Sequence, residues 1–276
     1  MASRTGGHEG LDSAEESARD GARDGARDGA SGSGWLQRQR AMLGEEGLRR
    51  LRQGTVLVAG VGGLGGATAT YLATAGIGRL IILHDGVVRL PDLNRQTLMG
   101  WDGVGEARVA RAKARLQQLN PHMAIETIEA KVGECALAPY IARADVVVDA
   151  RYAMEERFLL NDECVRAGAP MVEAAMSGWE LYLFTVAPGS GPCLRCLFTE
   201  RVDWRGDEFP VLGSVCATVG AMAANEAIKR IAGVAGETDG RLFWLDMLTW
   251  QQRTVSIART HACPVCGHPD SSSRGA

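Results

Sequence analysis

Four cysteines stand in two Cys-x-x-Cys pairs, Cys193-Leu-Arg-Cys196 and Cys263-Pro-Val-Cys266. Four thiolates arranged in two such pairs can complete the tetrahedral shell of a structural Zn²⁺ ion. Neither pair contains a histidine or a carboxylate, and four thiolates leave no open position for water, so we assign the metal to structure. The site would tie the C-terminal region to the middle of the chain. A redox pair and unliganded thiols are the alternatives, although two pairs argue against a single redox motif.

A glycine-rich segment, Gly60-Val-Gly62-Gly63-Leu-Gly65, follows a predicted strand and precedes a predicted helix. Glycine lets the backbone approach a phosphate closely, and the free N–H groups at the start of a helix favour negative charge. Asp85 ends the next predicted strand, where a carboxylate commonly accepts hydrogen bonds from ribose hydroxyls. The pattern predicts a nucleotide site, with a glycine turn that binds no ligand as the alternative. By itself it leaves ATP and NAD both open.

Alternating strand and helix patterns place these residues in an α/β fold. Residues 35–53 are expected to form a first helical segment. The predicted strands are 55–59, 80–83, 124–128, 145–149 and 170–174, and the predicted helices are 67–75, 105–119, 136–142 and 155–167. The apolar centre of 145–149 is typical of a parallel strand that is buried on both faces. We therefore predict a Rossmann-like, doubly wound and mainly parallel sheet. Strands at 181–186, 241–248 and 253–257, with a helix at 214–231, continue it as an antiparallel portion.

The N-terminal part of the chain differs in composition from the rest. Residues 1–34 contain a repeated Ala-Arg-Asp-Gly unit followed by Gly and Ser, with almost nothing apolar to bury. This composition predicts a disordered tail. Residues 35–276 are expected to form a single nucleotide-binding domain whose C-terminal region is held by the zinc site.

The charge pattern and the apolar runs limit the partners of the chain. The formal net charge is −3, with both signs interspersed, so there is no basic surface for nucleic acid or for an anionic membrane. No apolar run approaches the roughly 18 residues that a membrane-spanning helix requires, and the N-terminus lacks an export signal. We expect a cytoplasmic protein without nucleic-acid or membrane partners.

Several motifs between residues 35 and 268, taken together, resemble the MoeB/ThiF/HesA family. Besides the glycine segment and the cysteine pairs, they are Gln37-Arg38-Gln39, Leu93-Asn94-Arg95-Gln96, Leu119-Asn-Pro121, Leu160-Asn-Asp162 and Glu226-Ala-Ile-Lys229. The resemblance implies an ATP-dependent adenylyltransferase that acts with Mg²⁺. Its substrate would be the C-terminal glycine of a small β-grasp sulphur-carrier protein, as in molybdopterin or thiamine biosynthesis, or the C-terminus of a peptide.

The same resemblance assigns residues to the ATP site. Arg95 and Arg108 would contact the phosphates, with Arg108 standing where the family has a lysine, and Arg38 would reach the ATP of the neighbouring subunit in a homodimer. Asp92 and Asn94 lie in the same nucleotide-binding segment as Arg95. Asp92 stands where the family has a neutral amide, and it could help to hold magnesium.

The chain departs from the family after the fourth strand. The family has Cys-Thr-Asp-Asn there, whose Asp serves magnesium and adenylation, whereas Tyr152 takes the place of that Asp in this chain. Asp149, at the end of the strand, is the nearest surrogate, so we predict Arg95, Arg108 and Asp149 as catalytic residues. An ordinary structural role for a strand-end Asp is the alternative for Asp149.

Two other functions remain open at this point. The loss of the Asp at Tyr152 favours a degenerate relative that binds a nucleotide or a carrier without transferring AMP. The glycine segment with Asp85 would also fit an NAD-dependent oxidoreductase, which leaves the cysteine pairs without a role. Many relatives place a nucleophilic cysteine in the loop at 199–213, which contains none here, and Cys216 just beyond it is more simply a packing residue.

Overall fold

The computed structural model of the protein describes residues 34–198, 210–234 and 238–267. The chain divides into two compact units, with the boundary between Gly44 and Glu45. Residues 1–33 lie outside the described residues, so the disordered tail and the domain boundary stay predictions. The first helical segment is confirmed as α1 (Gln37–Gln53), which is interrupted at Gly44 by a left-handed φ of 66°.

An eight-stranded mixed sheet forms the centre of the second unit, in the order β3-β2-β1-β4-β5-β6-β7-β8. The strands are β1 (Thr55–Ala59), β2 (Arg79–Leu83), β3 (Ala124–Ile128), β4 (Val146–Asp149), β5 (Met171–Ser177), β6 (Glu180–Val186), β7 (Arg241–Asp246) and β8 (Gln251–Ser256). Pairing is parallel from β3 to β5 and antiparallel from β5 to β8. The predicted parallel sheet with an antiparallel continuation is confirmed.

The helices of this unit follow the predicted alternation, with shifted starts. They are α2 (Gly63–Thr74), α3 (Arg108–Leu119), α4 (Ala138–Ile141), α5 (Met154–Ala167), α6 (Leu194–Leu197) and α7 (Gly213–Ala232). The prediction that a helix begins at residue 105 is wrong, because Gly105 has a φ of 90° and Ala107 is extended. Arg108 is therefore the first residue of α3. No helix in the described ranges is long and apolar enough to cross a membrane.

The apolar runs of the central strands follow from their position in the sheet. Every residue of β1 and of β4 is buried. Strands covered on both faces are mainly apolar, and the polar exceptions here, Thr55 and Asp149, stand at strand ends. β8, at the open end of the antiparallel portion, is exposed along its whole length and is polar except for Val255.

The strand order reverses between β1 and β4, and we call the space beyond the carboxyl ends of β2, β1 and β4 the crevice. The chain passes from β1 to β2 and β3 on one side, and then returns to place β4 on the other side of β1. Open α/β sheets bind ligands at such a switch point, beyond the carboxyl ends of the strands. The residues that follow these strand ends are Gly60 after β1, His84 after β2 and Ala150 after β4.

A buried ion pair connects α5 to the sheet. Arg157 donates from Nη1 to the Glu173 carboxylate on β5, and also to the Tyr182 hydroxyl on β6 at 3.2 Å. Tyr182 in turn donates to Glu173 at 2.9 Å. The side chains of Arg157 and Glu173 are 8% and 0% exposed. Burial, and then the Glu173 charge, raise the pKa of Tyr182, so its hydroxyl stays a donor.

Replacing Arg157 by Met should be strongly destabilising, since Glu173 would stay buried without its counter-charge. We expect a loss of about 3–5 kcal/mol in the free energy of unfolding, measured by urea denaturation. Arg166→Met is the matched control on the same helix, because Arg166 is 66% exposed in its pair with Glu163. A second change, Glu173→Gln, should recover part of the loss. Equal, small effects of Arg157→Met and Arg166→Met would contradict this interpretation.

Candidate nucleotide site and cysteine cluster

The turn from β1 into α2 is too tight for side chains at two of its glycines. Gly60 has a φ of 103°, and a Cβ on it would lie 2.6 Å from the carbonyl oxygen of Ala150. A Cβ on Gly65 would lie 1.7 Å from the carbonyl oxygen of Gly60. Both distances are far below van der Waals contact with backbone atoms. The glycine pattern found in the sequence is therefore required by the backbone path itself.

The same turn leaves the start of α2 without a side-chain cap. Gly62 is the N-cap residue, and it makes no side-chain hydrogen bond to the first turn. A Cβ placed on Gly62 would lie 3.7 Å from its nearest neighbours, the side chains of Gln96 and His84. Backbone N–H groups at such a helix start can bind an anion. Binding of nucleotide phosphates at this turn stays a prediction.

His84 holds the glycine turn against the end of β2. Its Nδ1 accepts a hydrogen bond of 2.8 Å from the backbone N–H of Val61. Burial, followed by the charges of Arg151 and Arg108, lowers the pKa of His84 to about 3. The imidazole is therefore neutral at physiological pH and keeps this acceptor. Sequence reasoning gave His84 no role, although its place beside Asp85 at the strand end was a usable signal.

Asp92 is the centre of a buried hydrogen-bond cluster. Its carboxylate accepts from the backbone N–H of Arg89 at 2.9 Å, from Gln96 Nε2 at 2.9 Å and from Arg108 Nη2 at 2.7 Å. Arg95 Nη2 lies 3.5 Å from the other side of the carboxylate. Burial acts to raise the pKa of Asp92. The hydrogen bonds from Arg108 and from the Arg89 N–H outweigh burial, so the pKa lies below its ordinary value. Asp92 thus stays charged and orients two of the predicted phosphate-binding arginines.

Arg95 lies directly beside the glycine turn. Its Cγ is 3.1 Å from the position that a Cβ on Gly63 would take. Its Nη1 donates to the carbonyl oxygen of Pro91 and to Asn94 Oδ1, both at 2.9 Å. The side chain of Arg95 remains 20% exposed. Asn94 therefore acts here through Arg95, by fixing the direction of its guanidinium group.

Arg108 joins the segment around Asp92 to the end of β2. Besides its bond to Asp92, its Nη1 donates to the carbonyl oxygen of Asp85 at 3.1 Å. The structure thus brings five of the predicted nucleotide-binding residues to one edge of the sheet. They are Asp85, Asp92, Asn94, Arg95 and Arg108. Their functional roles stay predictions.

Sequence reasoning missed Arg151, which follows β4. Its Nε and Nη2 donate to Glu156 at 2.6 and 3.1 Å, and its Nη2 also donates to Asp85 Oδ1 at 3.0 Å. Burial raises the pKa of Asp85, but Arg151 outweighs it, and the pKa lies below its ordinary value. The signal available in the sequence was an arginine two residues after Asp149, the last residue of β4.

Asp149 lies beneath the crevice rather than in it. Its side chain is 0% exposed, and its Oδ1 accepts from the backbone N–H of Arg151 at 2.9 Å. Within the described part of the chain, its Oδ2 has no hydrogen-bond partner. Burial, and then the neighbouring Glu173 carboxylate, raise the pKa of Asp149 well above its usual range. A carboxyl group without exposed surface is not available to a metal ion.

The carboxylates of the crevice do not form a magnesium site of the expected kind. Asp92 is bonded to two arginines, and Asp149 has no exposed surface. In the described ranges, only the four paired cysteines form a group of three or more metal-ligating atoms. Tyr152, in the place of the family's Asp, is 53% exposed. These residues therefore do not fit a dedicated protein-bound magnesium ion.

Two further residues singled out in the sequence are Arg38 and Cys216. Arg38 belongs to the first unit, in the part of α1 before Gly44, so its contact with a neighbouring subunit stays a prediction. Cys216 is buried in the first turn of α7, with its Sγ 3.1 Å from the Cβ position of Gly63. Burial raises the pKa of Cys216 to about 11, although the nearby charge of Arg95 acts to lower it. It is a thiol at neutral pH, which fits a packing role.

The two cysteine pairs meet in a single buried cluster. The Sγ atoms of Cys193 and Cys263 are 3.6 Å apart, and those of Cys196 and Cys266 are 3.4 Å apart. All four sulphur atoms lie within 4.8 Å of one another, so they could hold a metal ion. Burial raises the pKa of Cys263, but the backbone N–H groups of Cys266 and Val265 lower it to about 7. Burial raises the pKa of Cys193 and of Cys266 instead, so of these three thiols Cys263 alone is shifted towards the thiolate, the metal-binding form.

Polar contacts fix the first cysteine pair on α5. Arg195, inside the pair, makes a bidentate ion pair with Asp162 at 2.8 and 2.6 Å. The backbone N–H of Leu194 donates to Asn161 Oδ1 at 2.9 Å. The second pair is fastened by Arg259, whose guanidinium group donates to the carbonyl oxygen of Cys266. The predicted link between the C-terminal region and the middle of the chain is thus present in the fold.

A cavity of about 380 Å³ lies at the opposite edge of the sheet, where β1 and β4 begin. Arg50, Asp145 and Arg230 are among its lining residues. Both arginines are already paired, Arg50 with Glu46 and Arg230 with Asp239. The cavity is separate from the glycine turn, which lies at the carboxyl ends of the same strands.

Sequence comparisons connect the chain to known proteins. The profile of the ThiF family matches residues 36–265. The chain is 46% identical over 225 residues to Protein HesA of Nostoc sp., covering 82% of this chain and 89% of the relative. It is 36% identical over 228 residues to the molybdopterin-synthase adenylyltransferase of Escherichia coli, covering 80% and 90%. It is 34% identical over 234 residues to the sulfur carrier protein adenylyltransferase of Thermus thermophilus, covering 82% and 86%.

Solved structures show the same fold at lower sequence identity. The crystal structure of E. coli MccB with ATP has a TM-score of 0.77 at 21% identity, covering 86% of this chain and 75% of that chain. MccB in complex with N-formylated MccA gives a TM-score of 0.77 at 20% identity, covering 86% and 76%. The predicted resemblance is confirmed by the profile match and by relatives above 30% identity. The chain belongs to the ThiF family.

Proposed function

We propose that the protein is an ATP-dependent adenylyltransferase for the C-terminal carboxylate of a small carrier protein of the β-grasp, sulphur-carrier type. A carboxylate oxygen would form a bond to the α-phosphorus of ATP, and the bond from that phosphorus to pyrophosphate would break. The E. coli and Thermus relatives, both named adenylyltransferases, support this reaction class. The C-terminus of a peptide is the alternative substrate.

One observation carries the proposal. Arg95 lies beside Gly63 of the glycine turn, and the buried carboxylate of Asp92 accepts a hydrogen bond from Arg108 and lies 3.5 Å from Arg95 Nη2. Adenylation is governed chiefly by positioning and by the stabilisation of negative charge that develops on phosphate oxygens. Guanidinium groups suit this task because they stay charged and donate in a planar fork. Fixed in advance, they need little reorganisation during the reaction.

The other residues of the crevice receive supporting roles in this proposal. The backbone of the turn from Gly60 to Gly65 would bind the phosphates, and Asp85 would accept hydrogen bonds from the ribose. Asp149 would act through the backbone of Arg151, rather than by touching the substrate. Arg38 would complete the site of a neighbouring subunit in a homodimer. Molybdopterin or thiamine biosynthesis would be the setting of a sulphur-carrier substrate.

A second candidate function is binding of a nucleotide or a carrier without AMP transfer. Tyr152 stands where the family has its magnesium-binding Asp, Asp149 is 0% exposed, and Asp92 is bonded to arginines. The crevice therefore lacks a carboxylate set for magnesium within the described residues. A protein with this crevice could serve as the partner or regulatory subunit of another enzyme.

Exchange of labelled pyrophosphate into ATP should test the first candidate. With the right carrier ending in Gly-Gly, or the right peptide, wild-type protein should catalyse exchange. Arg95→Ala should lower the rate roughly 10²–10³-fold, since it removes a fixed donor to developing charge. Arg166→Ala, an exposed arginine on α5, is the matched control and should leave the rate unchanged.

Other outcomes of that experiment favour the alternatives. Calorimetric binding of ATP with no exchange for any carrier would support the partner function. Binding of NADH, without binding of ATP at millimolar concentration in the presence of magnesium, would instead favour an oxidoreductase. An Arg95→Ala variant that folds and exchanges at the wild-type rate would overturn the role given to Arg95.

For the cysteine cluster we propose structural Zn²⁺. Elemental analysis of purified protein should find one zinc per chain, and Cys263→Ser should lower both the zinc content and the melting temperature. The physical reason is that zinc binding supplies folding free energy, on the order of 10 kcal/mol in small zinc domains. Cys135→Ser is the control, because Cys135 lies outside the cluster. Full zinc content in Cys263→Ser would contradict the assignment.

A further inference from the structure

The side chain of Arg151 lies against the glycine turn at Gly60, whereas Arg95 lies against it at Gly63. Its Cδ is 3.4 Å from the position that a Cβ on Gly60 would take, and the carbonyl oxygen of the preceding Ala150 is 2.6 Å from it. Only a glycine at position 60 allows the glycine turn and the turn after β4 to meet this closely. The position of Arg151 is therefore fixed relative to the part of the chain that would bind phosphates.

The guanidinium group of Arg151 is held by acidic residues from different elements. Glu156, in the first turn of α5, accepts from Nε and Nη2, and Asp85, after β2, accepts from Nη2. The backbone N–H of Arg151 donates to Asp149, the last residue of β4. With its side chain only 7% exposed, Arg151 has little surface left for a ligand of its own. Its direct partner at the surface of the crevice is Asp85.

Asp85 is the part of this cluster that faces the crevice. Its side chain is 31% exposed, and Arg151 is the one side chain among the described residues that donates to its carboxylate. Arg108 holds the backbone of the same residue through its carbonyl oxygen. Main chain and side chain of Asp85 are thus each fixed by a separate arginine. Without Arg151, the partly exposed carboxylate would be free to rotate towards water.

We propose that Arg151 is a positioning residue for nucleotide ribose. It orients the Asp85 carboxylate, so that recognition of the ribose hydroxyls depends on a side chain that does not itself touch the nucleotide. This inference rests on the proposed nucleotide site. A carboxylate that is already oriented loses less side-chain entropy when the ribose binds, which improves affinity for ligands that carry the hydroxyls.

The shape of arginine, and not its charge alone, is required in this role. Its planar fork bonds Glu156 with two nitrogens, and one of these also reaches Asp85. A lysine ammonium is a single point charge on a flexible stem and cannot reproduce that geometry. Arg151→Lys should therefore behave like Arg151→Met in ribose recognition, although it keeps the positive charge.

Calorimetric titration of the full chain with three ligands tests the proposal without any measurement of activity. The ligands are ATP, 2′,3′-dideoxy-ATP and inorganic tripolyphosphate. Wild-type protein should bind ATP roughly tenfold or more tightly than dideoxy-ATP, as expected for hydrogen bonds to a charged carboxylate. In Arg151→Met the two nucleotides should bind within about twofold of each other, while affinity for tripolyphosphate stays unchanged.

The controls separate ribose positioning from a merely structural role. Arg143→Met removes an arginine with a similar bidentate carboxylate partner, Glu126, at another place on the molecule, and should keep the wild-type discrimination. Asp85→Asn should abolish the preference for ATP over dideoxy-ATP. Adding Arg151→Met to Asp85→Asn should cause no further change, since the two substitutions act through one contact. Should Arg151→Met fail to fold, Arg151→Lys provides the same comparison.

Each result has a distinct meaning. A folded Arg151→Met or Arg151→Lys variant with the wild-type preference for ATP over dideoxy-ATP would overturn the proposal. Wild-type protein that binds ATP and dideoxy-ATP equally would also overturn it, but would leave the proposed adenylation intact. Failure of wild-type protein to bind either nucleotide would overturn the proposed function together with this inference.

Discussion

The turn from β1 into α2 approaches the turn after β4 so closely that no side chain fits between them. A Cβ on Gly60 would lie 2.6 Å from a carbonyl oxygen of the other turn, and one on Gly65 would lie 1.7 Å from Gly60 itself. This contact depends on β4 lying next to β1, which the reversal of strand order provides. It also brings Arg151 close to Gly60, whereas Arg95 lies close to Gly63 of the same short backbone segment. The shape of the crevice follows from that one constraint.

Charged side chains around the crevice are paired before any ligand binds. Arg95 and Arg108 share Asp92, while Arg151 is held between Asp85 and Glu156. Partly buried charges are stable only when they are paired and hydrogen-bonded, so the acidic residues here serve mainly to hold guanidinium groups. That use of the carboxylates explains why Asp92 and Asp85 are bonded to arginines and are not left unpaired in the crevice.

Helix α5 links the crevice to the cysteine cluster. Its first turn carries Glu156, the partner of Arg151, and the next residue, Arg157, is paired with Glu173 on β5. Its later turns carry Asn161 and Asp162, which bind the segment of the first cysteine pair. The candidate nucleotide site and the cysteine cluster therefore both contact the same helix.

The sequence by itself determined the alternation of strands and helices, the glycine turn, the two cysteine pairs and the segment containing Asp92, Asn94 and Arg95. These signals are local, because they depend on periodicity and on residues a few positions apart. Only the tertiary structure decided that Asp149 is buried, that Asp92 is occupied by arginines and that Arg151 holds Asp85. Asp85 and Arg151 are 66 positions apart in the chain, and they meet because their strands flank β1. Strand order and burial decide which charged residues pair across such a distance. A short sequence motif contains neither kind of information.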